Sequence, residues 1–222
     1  MRTGNHIVCL DFDGTIVDSA ESKLRAFKKL FSQLPSKKFK LAEEILDNNQ
    51  GIPRNIKFKR IYTEVLKKEI TDNLLKELSD SLDKLIMQDG EEIKLLGNIK
   101  DFCKIYNTQI IFYITSAAPR QEIINKLKKT ELINFFEKIY GSNIKKEEAI
   151  SKIVKKHKAN NKYIYMIGDT YNDLIAARAG GAEFIGFGSS AELKKCSIRL
   201  IDDFFELENI LMLNDSTKKD LI

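Results

Sequence analysis

The stretch Leu10-Asp11-Phe12-Asp13-Gly14-Thr15 decides the fold of this chain. It follows an apolar run, residues 7–10, which has the composition of a buried strand. Because side chains alternate along a strand, Asp11 and Asp13 would share one face unless the chain bends between them. Two crowded carboxylates repel each other unless a cation or a proton lies between them, which costs stability but is useful for chemistry. The alternative interpretation is an ordinary Asp-Gly turn after an edge strand.

The composition is that of a globular chain. The 222 residues are 43% hydrophobic and 31% charged, which suits one domain or one domain with a smaller insert. No apolar run approaches the roughly 20 residues needed to cross a bilayer. The N-terminal stretch also lacks the apolar region of a signal peptide. We therefore expect a cytoplasmic protein without a membrane partner.

Cysteine and histidine content excludes several classes of site. The three cysteines are scattered without the spacing of metal ligands, which argues against a zinc site or a disulfide. Two histidines are too few to favour a histidine-based triad or a multi-histidine metal site. The net charge is +5, but the lysines are spread over predicted helix faces with no interleaved aromatic patch. We expect no nucleic-acid partner, whereas the positive field would favour an anionic metabolite.

Two kinds of hydrophobic pattern follow one another along the chain. Residues 18–89 contain four consecutive segments with apolar residues at helical spacing, and afterwards short apolar runs alternate with helical patterns. This alternation predicts an α/β fold, a doubly wound and mostly parallel sheet, with an inserted all-helical subdomain. The predicted core domain comprises residues 1–17 and 90–222, and the predicted helical domain comprises residues 18–89.

Polar residues cluster where the predicted strands end. In a parallel sheet of this kind, ligands bind beyond the carboxyl ends of the strands. Carboxylates with little nitrogen or sulfur around them suit Mg²⁺, and a hydroxyl with a lysine supplies donors for phosphate oxygens. The sequence therefore predicts a phosphoryl-transfer site in which an aspartate can be the nucleophile. The clusters are Asp11 with Asp13, Thr115 with Ser116, Gly141 to Lys146, and Asp169 with Asp173.

The order of these motifs resembles that of haloacid dehalogenase-superfamily phosphatases, over nearly the whole chain. The resemblance implies a HAD-like Rossmannoid core with a helical C1 cap, as in phosphoglycolate phosphatases. Ser116 is preferred to Thr115 because it stands three residues before Pro119, and Lys146 is preferred to Lys145 because it fits the usual offset better. The matching stretches are Asp11-Phe12-Asp13-Gly14-Thr15 with Val17-Asp18-Ser19, Ile110 to Ser116, Gly141 to Lys146, and Gly168-Asp169-Thr170-Tyr171-Asn172-Asp173.

The resemblance implies a role for four side chains in the reaction. Asp11 attacks phosphorus and forms an aspartyl-phosphate, while Asp13 protonates the leaving oxygen and then takes a proton from the hydrolytic water. Ser116 and Lys146 hold the phosphoryl oxygens over which charge spreads in the transition state. Asp13 also argues against dehalogenation, because the dehalogenases of the family lack this second aspartate.

The resemblance further implies Mg²⁺ as the cofactor. The implied ligands are the Asp11 carboxylate, the Asp13 backbone carbonyl and Asp169. Asp173 is either a further ligand, through water, or an anchor behind the ligands. The resemblance also implies that Gly14, Thr15 and Ala117 bind the substrate near its phosphate.

The helical insert resembles the C1 cap, which in the family closes over the site and chooses the substrate. Its most unusual stretch runs from Gly51 to Lys57. Arg54, Lys57 and Arg60 stand at helical spacing and could present cations to a second anionic group of the substrate. The alternative is a solvated basic helix start. Arg54 is the leading candidate, and Lys57 is the second.

The function predicted from these residues is a Mg²⁺-dependent phosphatase of a small phosphorylated metabolite, acting as a monomer or homodimer. One alternative is a phosphosugar mutase of the β-phosphoglucomutase type, in which the phosphate passes to a sugar. The other alternative is a non-catalytic binding or scaffolding member of the superfamily. Such a member would be expected to lack the nucleophile or the acid, and both Asp11 and Asp13 are present.

Overall fold

The computed structural model describes residues 6–49, 51–88, 93–157, 163–188 and 190–213. The chain divides into two compact units. The core unit comprises the residues up to Asp18 and from Ile93 onward, and the helical unit runs from Ser19 to Glu92. The domain boundary predicted between residues 89 and 90 lies outside the described residues. No helix in the described ranges has the length and apolar character needed to cross a membrane.

Strands and helices alternate in the core unit, whereas the elements described in the insert are all helical. The strands are β1 (His6–Leu10), β2 (Ile110–Thr115), β3 (Phe136–Tyr140), β4 (Tyr163–Gly168), β5 (Glu183–Phe187) and β6 (Leu200–Ile201). The helices are α1 (Ala20–Leu30), α2 (Ser36–Asp47), α3 (Arg54–Arg60), α4 (Asp72–Gln88), α5 (Ile99–Tyr106), α6 (Arg120–Lys129), α7 (Lys146–His157), α8 (Tyr171–Gly180), α9 (Ala191–Lys194) and α10 (Leu207–Leu211). A π-helix spans Ile61–Leu66, and 3₁₀ turns span Ile133–Phe135 and Phe204–Glu206.

The described residues of the core unit form one six-stranded sheet, in the order β3-β2-β1-β4-β5-β6. Every pairing in it is parallel, which confirms the predicted fold class. Strand β1 is central, and its last residue, Leu10, pairs with Ile114 of β2 and Ile167 of β4. The segments that follow β1, β2 and β4 therefore leave the sheet side by side at one edge. This topology brings the predicted site residues together.

Helices cover both faces of the sheet, and β1 shows why. Val8 and Leu10 belong to one buried cluster and Ile7 and Cys9 to another, as strand alternation requires. The first cluster includes residues of α5 and α6, and the second includes residues of α7 and α8. A strand buried on both faces is a continuous apolar run, which is how β1 appears in the sequence.

The helical unit has its own apolar core, in which Phe58, Ile61 and Leu82 are fully buried. The spacing of Ile56, Ile61, Val65 and Leu66 in the sequence predicts that they share the apolar face of the third helix of the insert. This is wrong for Ile56, which is 43% exposed. Phe58 and Ile61, three residues apart, set the buried face, and Ile56 precedes Phe58 by two residues, so it points to the opposite side. The helix also does not continue regularly, because α3 passes into the π-helix at Ile61.

Candidate active site

Asp11 lies directly beyond the end of β1, at the centre of the sheet edge. Its backbone N–H donates to the carbonyl of Ile167 at 2.9 Å, which ties the residue to β4. Its side chain is almost fully buried. Burial raises the pKa of Asp11 to about 7; Lys146 opposes this, while Asp173 and Asp13 add to it. A carboxylate in this position is held out of water, where its reactivity depends on the few charges around it.

The chain bends sharply after Asp11. The N–H groups of Ile16 and Val17 both donate to the carbonyl of Phe12, at 2.9 Å and 3.0 Å, and close a turn. Gly14 lies in this turn with a φ of 82°. A Cβ atom at Gly14 would collide with the carboxylate of Asp169, so only glycine fits both the backbone conformation and the space. The turn thus packs the first motif against the fourth.

Asp169 follows β4 and faces the same edge of the sheet. The hydroxyl of Thr15 donates to Asp169 Oδ1 at 3.0 Å. Burial, together with the charges of Asp11 and Asp173, holds the pKa of Asp169 well above its usual range. Thr15 is fully buried, so its hydroxyl is committed to orienting this carboxylate.

Asp173 is fully buried, and both of its oxygens accept hydrogen bonds. Oδ2 accepts from the N–H and the hydroxyl of Thr170, at 3.1 Å and 2.6 Å, in a capping box at the start of α8. Oδ1 accepts from the ammonium group of Lys146. A Cβ at Gly168 would collide with the Asp173 side chain. These contacts make Asp173 the link between α8 and Lys146.

Lys146 is the first residue of α7 and its side chain is almost fully buried. Its Nζ lies 3.1 Å from Asp11 Oδ1, in addition to the bond to Asp173. Burial alone would lower the pKa of Lys146, but the charges of Asp11 and Asp173 outweigh burial and raise it. The adjacent Lys145 is exposed. Of the two lysines considered from the sequence, it is Lys146 that meets the predicted nucleophile.

The carboxylates form a set that could hold a metal ion. Asp11, Asp169 and Asp173 each offer an oxygen, and these oxygens lie within 4.8 Å of one another. One ammonium group cannot balance three carboxylates, and an all-oxygen donor set suits a hard cation such as Mg²⁺. Asp11 Oδ1 is also buried without a well-directed hydrogen bond among the described residues. The residues therefore fit a divalent cation. Both oxygens of Asp173 already accept hydrogen bonds, so Asp11 and Asp169 are better placed than Asp173 to act as ligands.

The two hydroxyls at the end of β2 have different surroundings. The Thr115 hydroxyl donates to Met166 Sδ at 3.3 Å, inside the packing between sheet and helices. Ser116 follows the strand, and its Oγ accepts the N–H of Ala118 at 3.1 Å. Its own N–H donates to Tyr140 at 3.0 Å. Ser116 and the half-buried Ala117 thus lie in the turn that leaves the sheet beside β1.

Asp13 has a neighbour that the sequence did not reveal. Lys126 of α6 places its Nζ 4.0 Å from Asp13 Oδ1 and 3.4 Å from Glu122 Oε1. The spacing of Glu122 and Lys126, four residues apart on a helix, is readable from the sequence. Their approach to Asp13 is not, because it depends on how α6 packs against the turn after β1.

Arg54 and Lys57 have partners inside the helical unit. Arg54 Nη1 lies 2.5 Å from Asp83 Oδ1, and the Arg54 side chain is only 11% exposed. Lys57 is buried, with its Nζ 4.7 Å from the centre of the Phe27 ring. Their roles toward a substrate remain predictions, since these contacts all lie within the helical unit.

Comparisons with known proteins identify a family, a distant relative and similar folds. The family model described as "Haloacid dehalogenase-like hydrolase" matches residues 8–187. A curated phosphoglycolate phosphatase from Aliivibrio fischeri is 22% identical over 184 residues, which cover 79% of this chain and 80% of the relative. A hydrolase from Pseudomonas syringae has a similar structure, with a TM-score of 0.71 and 21% identity over 93% of this chain and 97% of that one. A predicted phosphoglycolate phosphatase from Haemophilus somnus gives a TM-score of 0.70 and 18% identity over 95% and 99%.

Proposed function

The chain belongs to the haloacid dehalogenase-like hydrolases, and from this premise we propose that it is a Mg²⁺-dependent phosphatase that hydrolyses the phosphate monoester of a small metabolite. The family and the hydrolase class are those that its motifs predict. The observation that carries the proposal is the buried ion pair between Lys146 Nζ and Asp11 Oδ1, 3.1 Å apart, within a cluster of carboxylates. A nucleophilic carboxylate beside a fixed cation is what attack on a phosphate dianion requires.

Asp11 is the nucleophile of the proposed reaction. One of its carboxylate oxygens forms a bond to phosphorus while the bond from phosphorus to the leaving oxygen breaks, which yields an aspartyl-phosphate. Asp13 gives a proton to the leaving oxygen. It then takes a proton from the water that attacks phosphorus, and this second displacement releases phosphate and restores Asp11.

Lys146 and Ser116 hold the phosphoryl oxygens. The ammonium group of Lys146 is fixed by Asp173, so its charge is in place before the substrate arrives. Ser116 contributes its hydroxyl, with the backbone of Gly14 and Ala117 nearby in the two turns that follow β1 and β2. Thr15 acts by orienting Asp169, since its hydroxyl already donates there.

Asp11, Asp169 and the backbone carbonyl of Asp13 would hold Mg²⁺, with Asp173 as the anchor behind them. When bound, the ion supplies positive charge that offsets the crowded carboxylates and the phosphoryl oxygens. The hydrogen bonds that engage both oxygens of Asp173 support this anchoring role.

We propose that the helical unit is the cap of this phosphatase. Two of its cationic side chains are candidates for binding the substrate. The Aliivibrio fischeri relative is a phosphoglycolate phosphatase, whose substrate carries a carboxylate besides the phosphate. Arg54, held by Asp83, and the buried Lys57 are the cations proposed to meet such a second anionic group. A small phosphorylated acid is therefore the substrate class that we favour.

Hydrolysis of p-nitrophenyl phosphate tests the proposal, with Mg²⁺ and with EDTA. Asp11→Asn should lower kcat on the order of 10³-fold or more, as loss of a nucleophile does. Asp101→Asn is the matched control, because Asp101 is exposed on α5. Rapid acid quench followed by mass spectrometry should find one phosphoryl group on wild-type protein. Metal-independent turnover, or a folded Asp11→Asn variant with full activity, would refute the mechanism.

A further inference from the structure

Three charged side chains form a cluster at the edge of the proposed active site, within the core unit. They are Asp13 in the turn after β1, and Glu122 and Lys126 on α6. The ammonium group of Lys126 is near both carboxylates, 4.0 Å from Asp13 Oδ1 and 3.4 Å from Glu122 Oε1. All three side chains are about four-fifths buried, with exposed fractions of 18% for Asp13, 19% for Glu122 and 20% for Lys126.

The position of Lys126 is set by rigid packing. Ile123 and Leu127 of α6 are fully buried in the same apolar cluster as Phe12. The Lys126 ammonium also lies 5.9 Å from the centre of the Phe12 ring, and Phe12 is the residue between the two aspartates of the first motif. Glu122 precedes Lys126 by one helical turn, which is the favourable order for such a pair. The packing of α6 therefore holds the ammonium group of Lys126 beside Asp13.

We propose that Lys126 is a positioning residue that holds the Asp13 carboxylate in the orientation from which it protonates the leaving oxygen, with Glu122 holding Lys126 in turn. This inference rests on the proposed phosphatase function. An aspartate side chain has two rotatable bonds, and a general acid works only where its oxygen can reach the leaving atom. A cation in a mostly buried place, where water screens its field little, attracts a carboxyl oxygen of Asp13 whether or not the group carries a proton, and so favours one of the available rotamers.

The leaving group provides a readout that separates this role from a general effect on the fold. p-Nitrophenolate leaves readily without a proton, whereas unsubstituted phenolate is a poorer leaving group and depends more on the acid. The two phenyl esters differ little in shape, so binding changes should affect both alike. Hydrolysis of the aspartyl-phosphate also uses Asp13 but is common to both esters, so the comparison is made in kcat/KM, which ends at cleavage of the ester bond. A misplaced Asp13 should lower kcat/KM for phenyl phosphate and largely spare kcat/KM for p-nitrophenyl phosphate.

Lys126→Met is the test variant, because methionine keeps the apolar stem against Phe12 and removes the charge. We expect kcat/KM for phenyl phosphate, which reports on the steps up to cleavage of the ester bond, to fall about tenfold, a part of the total contribution of a general acid, and kcat/KM for p-nitrophenyl phosphate to change less than about twofold. Lys126→Arg should recover most of the loss. Lys128→Met, an exposed change on the same helix, should have no effect on either ester. Equal losses of kcat/KM on both esters, or no loss of kcat/KM on phenyl phosphate, would overturn the inference.

Crystal structures of the wild type and of Lys126→Met give a second readout that needs no turnover. The Asp13 carboxylate should keep one orientation in the wild type and spread over others in the variant. An unchanged Asp13 in the variant overturns the inference even in an active enzyme. Failure of the proposed function is distinguishable, because it would show as a wild type that hydrolyses neither ester.

Discussion

The ammonium group of Lys146 donates a hydrogen bond to the fully buried carboxylate of Asp173. The other oxygen of that carboxylate caps α8 through Thr170, so a single aspartate connects the starts of α7 and α8. The cation next to the proposed nucleophile is thus held by a residue whose hydrogen bonds are otherwise structural.

Asp173→Asn should destabilise the protein by about 3 kcal/mol, because an amide has a single acceptor oxygen and cannot accept from both Lys146 and Thr170, and because the buried ammonium group of Lys146 loses a charged partner. Urea denaturation followed by circular dichroism measures the change. Glu148→Gln, an exposed change in the first turn of α7, is the matched control and should cost less than about 0.5 kcal/mol. A loss of activity without any loss of stability would instead indicate that Asp173 binds the metal directly.

Thr15→Val should weaken Mg²⁺ binding about tenfold, the low end of what removing a partner behind a metal ligand costs. The change keeps the shape of the side chain and removes only the hydroxyl that orients Asp169. Isothermal titration of Mg²⁺ into the metal-free protein measures the effect, with exposed Thr108→Val as the control. Unchanged affinity would mean that Asp169 needs no orienting partner.

Gly14→Ala and Gly188→Ala form a matched pair. Both glycines have a positive φ, 82° and 76°, but a Cβ meets the Asp169 carboxylate at Gly14 and nothing within 4 Å at Gly188. The backbone cost of about 1 kcal/mol should appear in both variants. Only Gly14→Ala should also lose Mg²⁺ affinity, since Asp169 must move. Equal behaviour of the two variants in the titration would contradict the crowding seen at Gly14.

The pH dependence of stability should reveal the burial of Asp11 in metal-free protein. The folded-state pKa of Asp11 is about 7, above the usual value of 3.8. The folded state therefore holds a proton that the unfolded state has lost, and stability falls as pH rises from about 4 to 7. Asp11→Asn should remove this penalty and stabilise metal-free protein by about 1–2 kcal/mol at pH 8, with no gain at pH 4. Thermal unfolding in EDTA across that range measures it, and a gain that is the same at both pH values would contradict the assignment.

Arg54→Ala should raise KM for 2-phosphoglycolate about tenfold and leave KM for p-nitrophenyl phosphate within about twofold, if Arg54 meets a second anionic group. Asp83→Asn breaks the same ion pair but keeps the cation, so it controls for the lost contact. An exposed partner such as Asp83 should contribute less than about 1 kcal/mol of stability. Similar KM values for both variants would assign Arg54 a structural role.

Much of the fold could be predicted because its signals are local. β1, β2 and β4 are short apolar runs followed by turn residues, which is the pattern typical of a strand with both faces buried. The helical insert could likewise be predicted from apolar spacing. The π-helix at Ile61–Leu66 and the exposure of Ile56 could not, because packing against neighbouring helices decides which side of a helix is buried.

The sequence by itself determined the α/β order, the family and the set of carboxylates at the strand ends, since these follow from residue types and their spacing. The sequence favoured Lys146 over Lys145, but only the tertiary structure shows that Lys146 meets Asp11, that Thr115 turns into the core, and that Lys126 reaches Asp13. Each of these depends on the direction in which one side chain points from a packed element. That direction is set by contacts between segments far apart in the chain, which local periodicity does not record.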